Sequence, residues 1–252
     1  MARPCAATRS SRPLRHLPDD RGQGGDWFDE ETGTYDFTGD AVIETLEFLR
    51  GMINDGCMFI YDQGNPQPAF AGLQVPMANG SSVGIPFIRA AIEESGSGLE
   101  NWSMTTFPWE DERVLQTYLR GVMIVDQSPE ENLAAWLFIK FWSTNVEAQV
   151  AWTAAANYQP FFDPAREGLT EAFLGERPQF TQVFDLIGDD SVVKYSTPSH
   201  PRNNEINAIA GDFFIAAVTG DEDIRELAAE ATEEANEVYQ RVLEEIADAA
   251  AN

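Results

Sequence analysis

Apolar residues recur at helical spacing through much of the chain, broken by short runs that read as strands. In "DFTGDAVIETLEFLRGMINDG" the positions Val42, Leu46, Leu49 and Ile53 fall on one face, and Gly56 supplies a C-terminal stop. Leu73 to Ala78 reads as a short buried strand, ended by "NGSS" before a helix from about Ile85 to Glu94. Ser103–Phe107 and Gly121–Val125 are further strand candidates.

The clearest helix start is in "SPEENLAAWLFIKFW", with Ser128 as N-cap, Pro129 at the first position and Glu131 completing a capping box. Leu133, Trp136, Leu137, Phe138, Ile139, Phe141 and Trp142 make this helix apolar almost all round, which predicts burial on most sides. Asn145 is placed to cap the next helix, which carries Val150 and Trp152 and runs out at Asn157. Pro160 pushes Gln159 into an extended conformation and releases Tyr158 from the helix. Two more apolar stripes follow, Ile206 to Ala217 and Ile224 to Ile246, separated by the "TGDED" turn. The alternation predicts a helix-rich α/β fold without internal repeats or long heptads.

Composition narrows the function. A 43% apolar chain of 252 residues can fill a core. Its 42 acidic residues against 16 basic ones give a net charge of -26, with only two lysines. Nucleic acid and anionic membranes are disfavoured partners for such a surface, and solubility is the plain reading of the charge. No stretch approaches the roughly eighteen apolar residues of a membrane span. Residues 1–25 hold five of the sixteen basic residues with Pro, Ser and Gly and no apolar core, so no secretory signal is visible and the segment is expected to be disordered and foreign to the rest. Cys5 and Cys57 match no metal or redox spacing, and either one disulfide or two thiols fits.

The inventory offers little catalytic chemistry. His16 lies in the unusual N-terminus and His200 stands alone in "TPSHPR", so neither a nucleophile-base triad nor a zinc site assembles, and neither metal nor cofactor is expected. The glycine-rich stretches match no phosphate-binding loop. A glycoside hydrolase with two carboxylates is the one enzymatic alternative, and it requires an acidic pair at a set separation in a cleft.

Four stretches carry a resemblance. "FTGDAVIETLEFLRGMINDG", "AFAGLQVPMANGSS", "PEENLAAWLFIKFWSTNVEAQVAWTAAANYQPFF" and "VTGDEDIRELAAEATEEANEVY" follow one another in the order found in the extracellular solute-binding proteins of ABC importers, family 1, which includes sugar and glycerol-phosphate binders. The chain resembles the C-terminal half of that family. The resemblance implies a periplasmic-binding-protein-like (type II) C-terminal lobe with terminal helices over residues 26–252, the N-terminal lobe being largely missing, and hence a fragment. It also implies a monomer that performs no chemistry, is periplasmic or extracellular and membrane-anchored in the full-length family, and passes its solute, a sugar, sugar-like polyol or glycerol-phosphate-type compound, to membrane permease subunits. A scaffold domain that kept the lobe and lost transport is the other non-enzymatic alternative.

By position in the resemblance, the ligand-facing set is Ser81 or Ser82 at a strand end, Gly121 where backbone can approach closely, Tyr158 after the alanine-rich helix, and Arg202 on the loop before the last helices. Arginine suits a phosphate or carboxylate through paired donors. Trp102 and Trp109 are candidates for stacking on a sugar ring. Each has a structural alternative: Tyr158 as a core plug, Arg202 in a surface ion pair, the serines in a turn, the tryptophans in packing.

Overall fold

A computed structural model describes residues 6–9, 27–29, 31–62, 64–106, 113–117, 121–156, 158–160, 162–195 and 202–251. The strands are β1 (Ala6–Arg9), β2 (Phe28–Asp29), β3 (Thr34–Tyr35), β4 (Met58–Tyr61), β5 (Met77–Ala78), β6 (Arg113–Gln116) and β7 (Val192–Tyr195). The helices are α1 (Asp40–Asn54), α2 (Gln67–Ala71), α3 (Ile85–Ser95), α4 (Pro129–Thr144), α5 (Val146–Ala156), α6 (Asp163–Glu167), α7 (Glu171–Gly175), α8 (Pro178–Gly188), α9 (Asn203–Thr219) and α10 (Ile224–Ala251).

The helices at 40–54, 85–95, 129–144 and 146–156, and the last two, fall where the apolar spacing places them. Gly56 ends the first as expected: it adopts φ 71°, a left-handed conformation that suits glycine, and its amide donates to the Ile53 carbonyl at 3.0 Å. Strands agree less well. The Leu73–Ala78 strand shrinks to β5, whose two residues are exposed, because Leu73 turns into the left-handed region and Pro76 removes an amide donor; Val75 alone is buried. Neither 103–106 nor 121–125 is a strand. An apolar run becomes a strand only with a ladder partner, and the parallel pair actually formed joins β6 to β7 from far along the chain.

The N-terminal segment needs a correction of its own. Ala6–Arg9, expected to be disordered, is the central strand of a three-stranded parallel sheet ordered β4-β1-β5, with Ala6 opposite Met58 and Met77. Two alanines followed by Thr8 and Arg9 give little hydrophobic signal, and the segment's place comes from ladder hydrogen bonds to apolar neighbours.

The main core joins both parts of the described chain. Trp27, Phe28, Tyr35 and Phe37 stack beside α1 residues Val42, Ile43 and Leu46, and α9 and α10 close over them through Ile206, Phe213, Phe214, Ala235 and Val238. The β2–β3 hairpin is tied to α10 by a reciprocal pair: the Tyr35 amide donates to Asn236 Oδ1 and Asn236 Nδ2 donates to the Tyr35 carbonyl, both at 2.8 Å. Thr232 Oγ1 accepts from the Phe37 amide at 2.9 Å. From α1, Arg50 donates to the carbonyls of Ala217 at 2.6 Å, in the last turn of α9, and of Glu222 at 2.9 Å, in the turn before α10. A second core gathers Ile85, Leu169, Phe180, Val183 and Phe184.

Candidate functional site

The geometry of the candidate site begins with the strap ahead of α4. The Ser128 hydroxyl accepts from the Glu131 amide at 3.3 Å and the Glu131 carboxylate accepts from the Ser128 amide at 3.2 Å, the capping box expected from sequence. Asn132 extends this clamp, donating to Asp126 Oδ1 at 2.7 Å and accepting from the Gln127 amide at 3.0 Å. The clamp fixes Asp126 and Gln127 at the foot of a wall, Val122 to Val125, that lines the same hollow as the helix.

Between that wall and α4 runs an open trough of about 650 Å³, lined by Val122 to Val125, Phe138, Ile139, Trp142 and Trp152, with Gln127 and Glu131 among its polar groups. Hydrogen bonding by Ser128 to the Glu131 carboxylate holds its pKa below the usual glutamate value.

The expectation that α4 is buried on most sides is not met. None of its residues is buried; Trp136 is 54% exposed and Phe138 66%. The all-round apolar pattern marks a helix that wants cover, and the described chain covers it only in part.

Tyr158 sits half-buried at the end of an aromatic series. Its ring stacks on Trp152, centroids 6.4 Å apart and planes 25° apart, and Trp152 meets Trp142 edge-on at 5.6 Å. Asn145 caps α5 as expected, its Oδ1 accepting from the Ala148 amide at 2.8 Å. Gln149 on the same helix is fully buried and donates to the Trp142 carbonyl at 2.6 Å, which fixes the Trp142 end of the series. Pattern reading missed the polar atoms here. The Thr153 hydroxyl and both side-chain polar atoms of Gln159 are buried without a hydrogen-bond partner, although such groups are costly unless satisfied. Their signal in the sequence is only a polar residue among apolar neighbours.

Gly121 adjoins Val122 at the wall, and a Cβ built there would meet nothing within 4 Å, so the chain itself makes no demand for glycine at that position. Ser81 is exposed and its carbonyl accepts from the Gly84 amide at 2.8 Å in a short turn; Ser82 opens a 3₁₀ turn that leads into Ile85 of the second core. The Trp102 ring lies edge-on to Phe70 at 6.1 Å, its carbonyl accepts from Gln179 Nε2 at 2.9 Å, and it packs on the second core. Trp109, Asn157, Cys5, His16 and His200 lie outside the described residues.

Arg202 is engaged elsewhere. At φ 60° before α9 it donates to both carboxylate oxygens of Glu245, at 2.6 and 3.2 Å, and to Glu205 at 3.4 Å. Hydrogen bonding to Glu245 raises its pKa and lowers that of its partner. Thus Gly121 and Tyr158 adjoin lining residues of one trough, Ser82 and Trp102 adjoin the second core, and Arg202 belongs to the α9–α10 end.

A second hollow of about 490 Å³ is lined by Asp163, Arg166, Glu167 and Phe184, with the Arg166 guanidinium 4.7 Å from the Phe184 ring centre. Among the described residues no group of three or more His, Cys, Asp or Glu is placed to hold a metal ion, and no helix is long and apolar enough to cross a membrane.

This chain is similar to several solved structures. UgpB of Mycobacterium tuberculosis, in complex with glycerophosphocholine, matches with TM-score 0.70 at 13% identity over 96% of this chain and 59% of its own. An ABC substrate-binding protein of Listeria monocytogenes, in complex with cycloalternan, matches with TM-score 0.74 at 16% identity over 94% of this chain and 59% of its own. The cyclic alpha-maltosyl-1,6-maltose binding protein of Arthrobacter globiformis matches with TM-score 0.69 at 13% identity over 94% and 60%. The chain therefore has the periplasmic-binding-protein-like fold and spans about three fifths of the length of these neighbours. No curated protein sequence gives a significant match. The sequence profile of the bacterial extracellular solute-binding proteins matches residues 16 to 180, starting inside the segment expected to be foreign. Over that span, and with that fold, the chain belongs to the bacterial extracellular solute-binding proteins.

Proposed function

We propose that this chain forms part of the solute-capturing component of an ABC importer, that it binds without chemistry outside the membrane, and that its ligand is a neutral sugar. The observation that carries the reading is the stack of Tyr158 on Trp152 at the edge of the trough. Aromatic faces suit the apolar faces of sugar rings, while Gln127 and the strap backbone beside Gly121 offer hydrogen bonds to hydroxyls. Ser81 and Ser82, in the turn that leads into the second core, stand apart from this trough and are assigned no contact there.

Charge separates sugar from polyol phosphate. Among the described residues the trough lining holds Glu131 and no cation, and Arg202, the residue suited to phosphate, is already shared between Glu245 and Glu205. A phosphate would have to displace those carboxylates in a chain of net charge -26. Binding energy would then favour a closed form, by hinge closure, that docks on permease subunits.

Calorimetry of the full chain with cycloalternan, maltotriose and glycerophosphocholine tests the reading. A sugar should bind, and Tyr158→Ala should weaken it by about tenfold or more while lowering unliganded stability only by the roughly 0.5–1.5 kcal/mol of an aromatic pair. Arg202→Ala should leave sugar affinity unchanged. Equal affinity in the Tyr158 variant, or glycerophosphocholine binding that depends on Arg202, overturns the assignment.

A further inference from the structure

Both buried residues of α5, Gln149 and Thr153, are polar, in a helix otherwise made of Val, Ala, Trp and one Glu. An amide withdrawn from water costs free energy unless it is hydrogen-bonded, so a methionine or leucine of similar size would fill the place of Gln149 at lower cost. What the amide adds is direction. A satisfied buried polar group selects one arrangement of the elements around it.

The arrangement selected is the corner between α4 and α5. Gln149 Nε2 donates to the carbonyl of Trp142, in the last turn of α4, where carbonyls run out of intrahelical partners. Beside it the Phe141 carbonyl accepts from the Asn145 amide at 2.9 Å, and Asn145 Oδ1 accepts from the Ala148 amide at 2.8 Å. Trp152 lies three residues beyond Gln149, on the same side of α5, and its ring meets Trp142 edge-on with planes 88° apart. One side of α5 thus grips the end of α4 twice, by an amide on its backbone and by a ring on its ring, and both tryptophans line the trough.

We infer that Gln149 is a positioning residue for solute binding: without touching solute, it holds the Trp142 carbonyl, and so sets the angle between α4 and α5 and the tryptophan pair that this angle brings together. The role rests on the trough being the solute site. It needs a donor of this length, since the group it meets is an acceptor; methionine fills the same space with none. The far end of α4 is held by Ser128, Glu131 and Asn132, so hydrogen bonds fix both ends of the helix that forms one side of the trough.

Circular dichroism and calorimetry of the full chain test this together. Two tryptophan rings in contact and steeply inclined couple their transitions into a signed pair of bands, which Trp152→Phe identifies by removing it. Gln149→Met should shrink those bands in the absence of solute and weaken maltotriose binding about fivefold, the weight of one ordinary hydrogen bond. Thr232→Val, which removes a hydrogen bond to the Phe37 amide in the main core, should lower the melting temperature but leave the bands and the affinity unchanged. If Gln149→Met fails to fold, nuclear magnetic resonance of the wild type decides: the Gln149 side-chain amide should exchange slowly with solvent and shift as maltotriose is added. Bands and affinity untouched by Gln149→Met, an equal loss of affinity in Thr232→Val, or a Gln149 amide that exchanges fast or ignores the sugar overturns the role. A wild type that binds no sugar overturns instead the reading of the trough, because the bands are measured without solute.

Discussion

Asn236 donates and accepts across the same peptide group of Tyr35, a reciprocal pairing that takes a side-chain amide, with its donor and acceptor side by side. Its role is structural: it fastens an aromatic hairpin to α10. Asn236→Ala would strand the Tyr35 amide and carbonyl beside the core. The expected loss is about 2 kcal/mol in urea unfolding, since an unsatisfied buried group costs about 1–3 kcal/mol. Tyr35 itself gives a pH signature. Burial, followed by the neighbouring Tyr239, raises its pKa above the ordinary 10.0. The folded state thus holds the phenol neutral where the unfolded chain would ionise it. Its stabilisation is complete below pH 10 and is lost as pH rises above that value. In thermal melts between pH 9 and about 11.5 the wild type should lose stability more steeply than Tyr35→Phe; parallel slopes would remove Tyr35 from the account.

At the level of elements, helix grammar is legible in the letters and strand grammar is not. Ser128, Glu131, Asn145 and Gly56 occupy the ends that the letters predict, because a cap is a local match between a side chain and amides within one turn. Strands depend on partners. Nothing near Ala6 or Arg113 announces Met58 or Val192, so β1 and β6 leave no mark in the pattern, while Gly121–Val125, apolar but unpaired, reads as a strand. The same reason explains the site: Tyr158 can be placed from Pro160 and the helix end, but its stack on Trp152 and the engagement of Arg202 by Glu245 are facts of tertiary packing. The cap makes a direct prediction. Ser128→Ala should cost about 1 kcal/mol and loosen the strap that walls the trough, seen as faster amide exchange at residues 127 to 132. The carboxylate half of the box has a pH limit: with its pKa lowered in the folded chain, Glu131 contributes fully above the ordinary 4.5 and fades as pH falls below it.

For the whole molecule, surplus charge is the main influence that no single contact reveals. With 42 acidic and 16 basic residues, self-repulsion destabilises the compact state, and salt should relieve it. Raising sodium chloride from about 20 mM to 300 mM, which shortens the screening length from roughly 20 Å to 6 Å, should raise the melting temperature. A fall would mean that the few ion pairs, such as Arg225 with Asp40 at 2.8 Å and Arg241 with Glu205 at 2.8 Å, outweigh the repulsion.

The main core is assembled from residues 27–46 and 206–238, with about 160 residues of chain between them. On a ribosome, that separation becomes a delay. Trp27, Phe28, Tyr35 and Phe37 leave the exit tunnel more than 150 residues before α9 is made, and at about 5–20 residues per second they wait roughly eight to thirty seconds without the helices that cover them. Four aromatic rings in one short stretch are a natural grip for a chaperone during that interval. The rate of translation, as much as the finished packing, then decides how much of this protein reaches its native state.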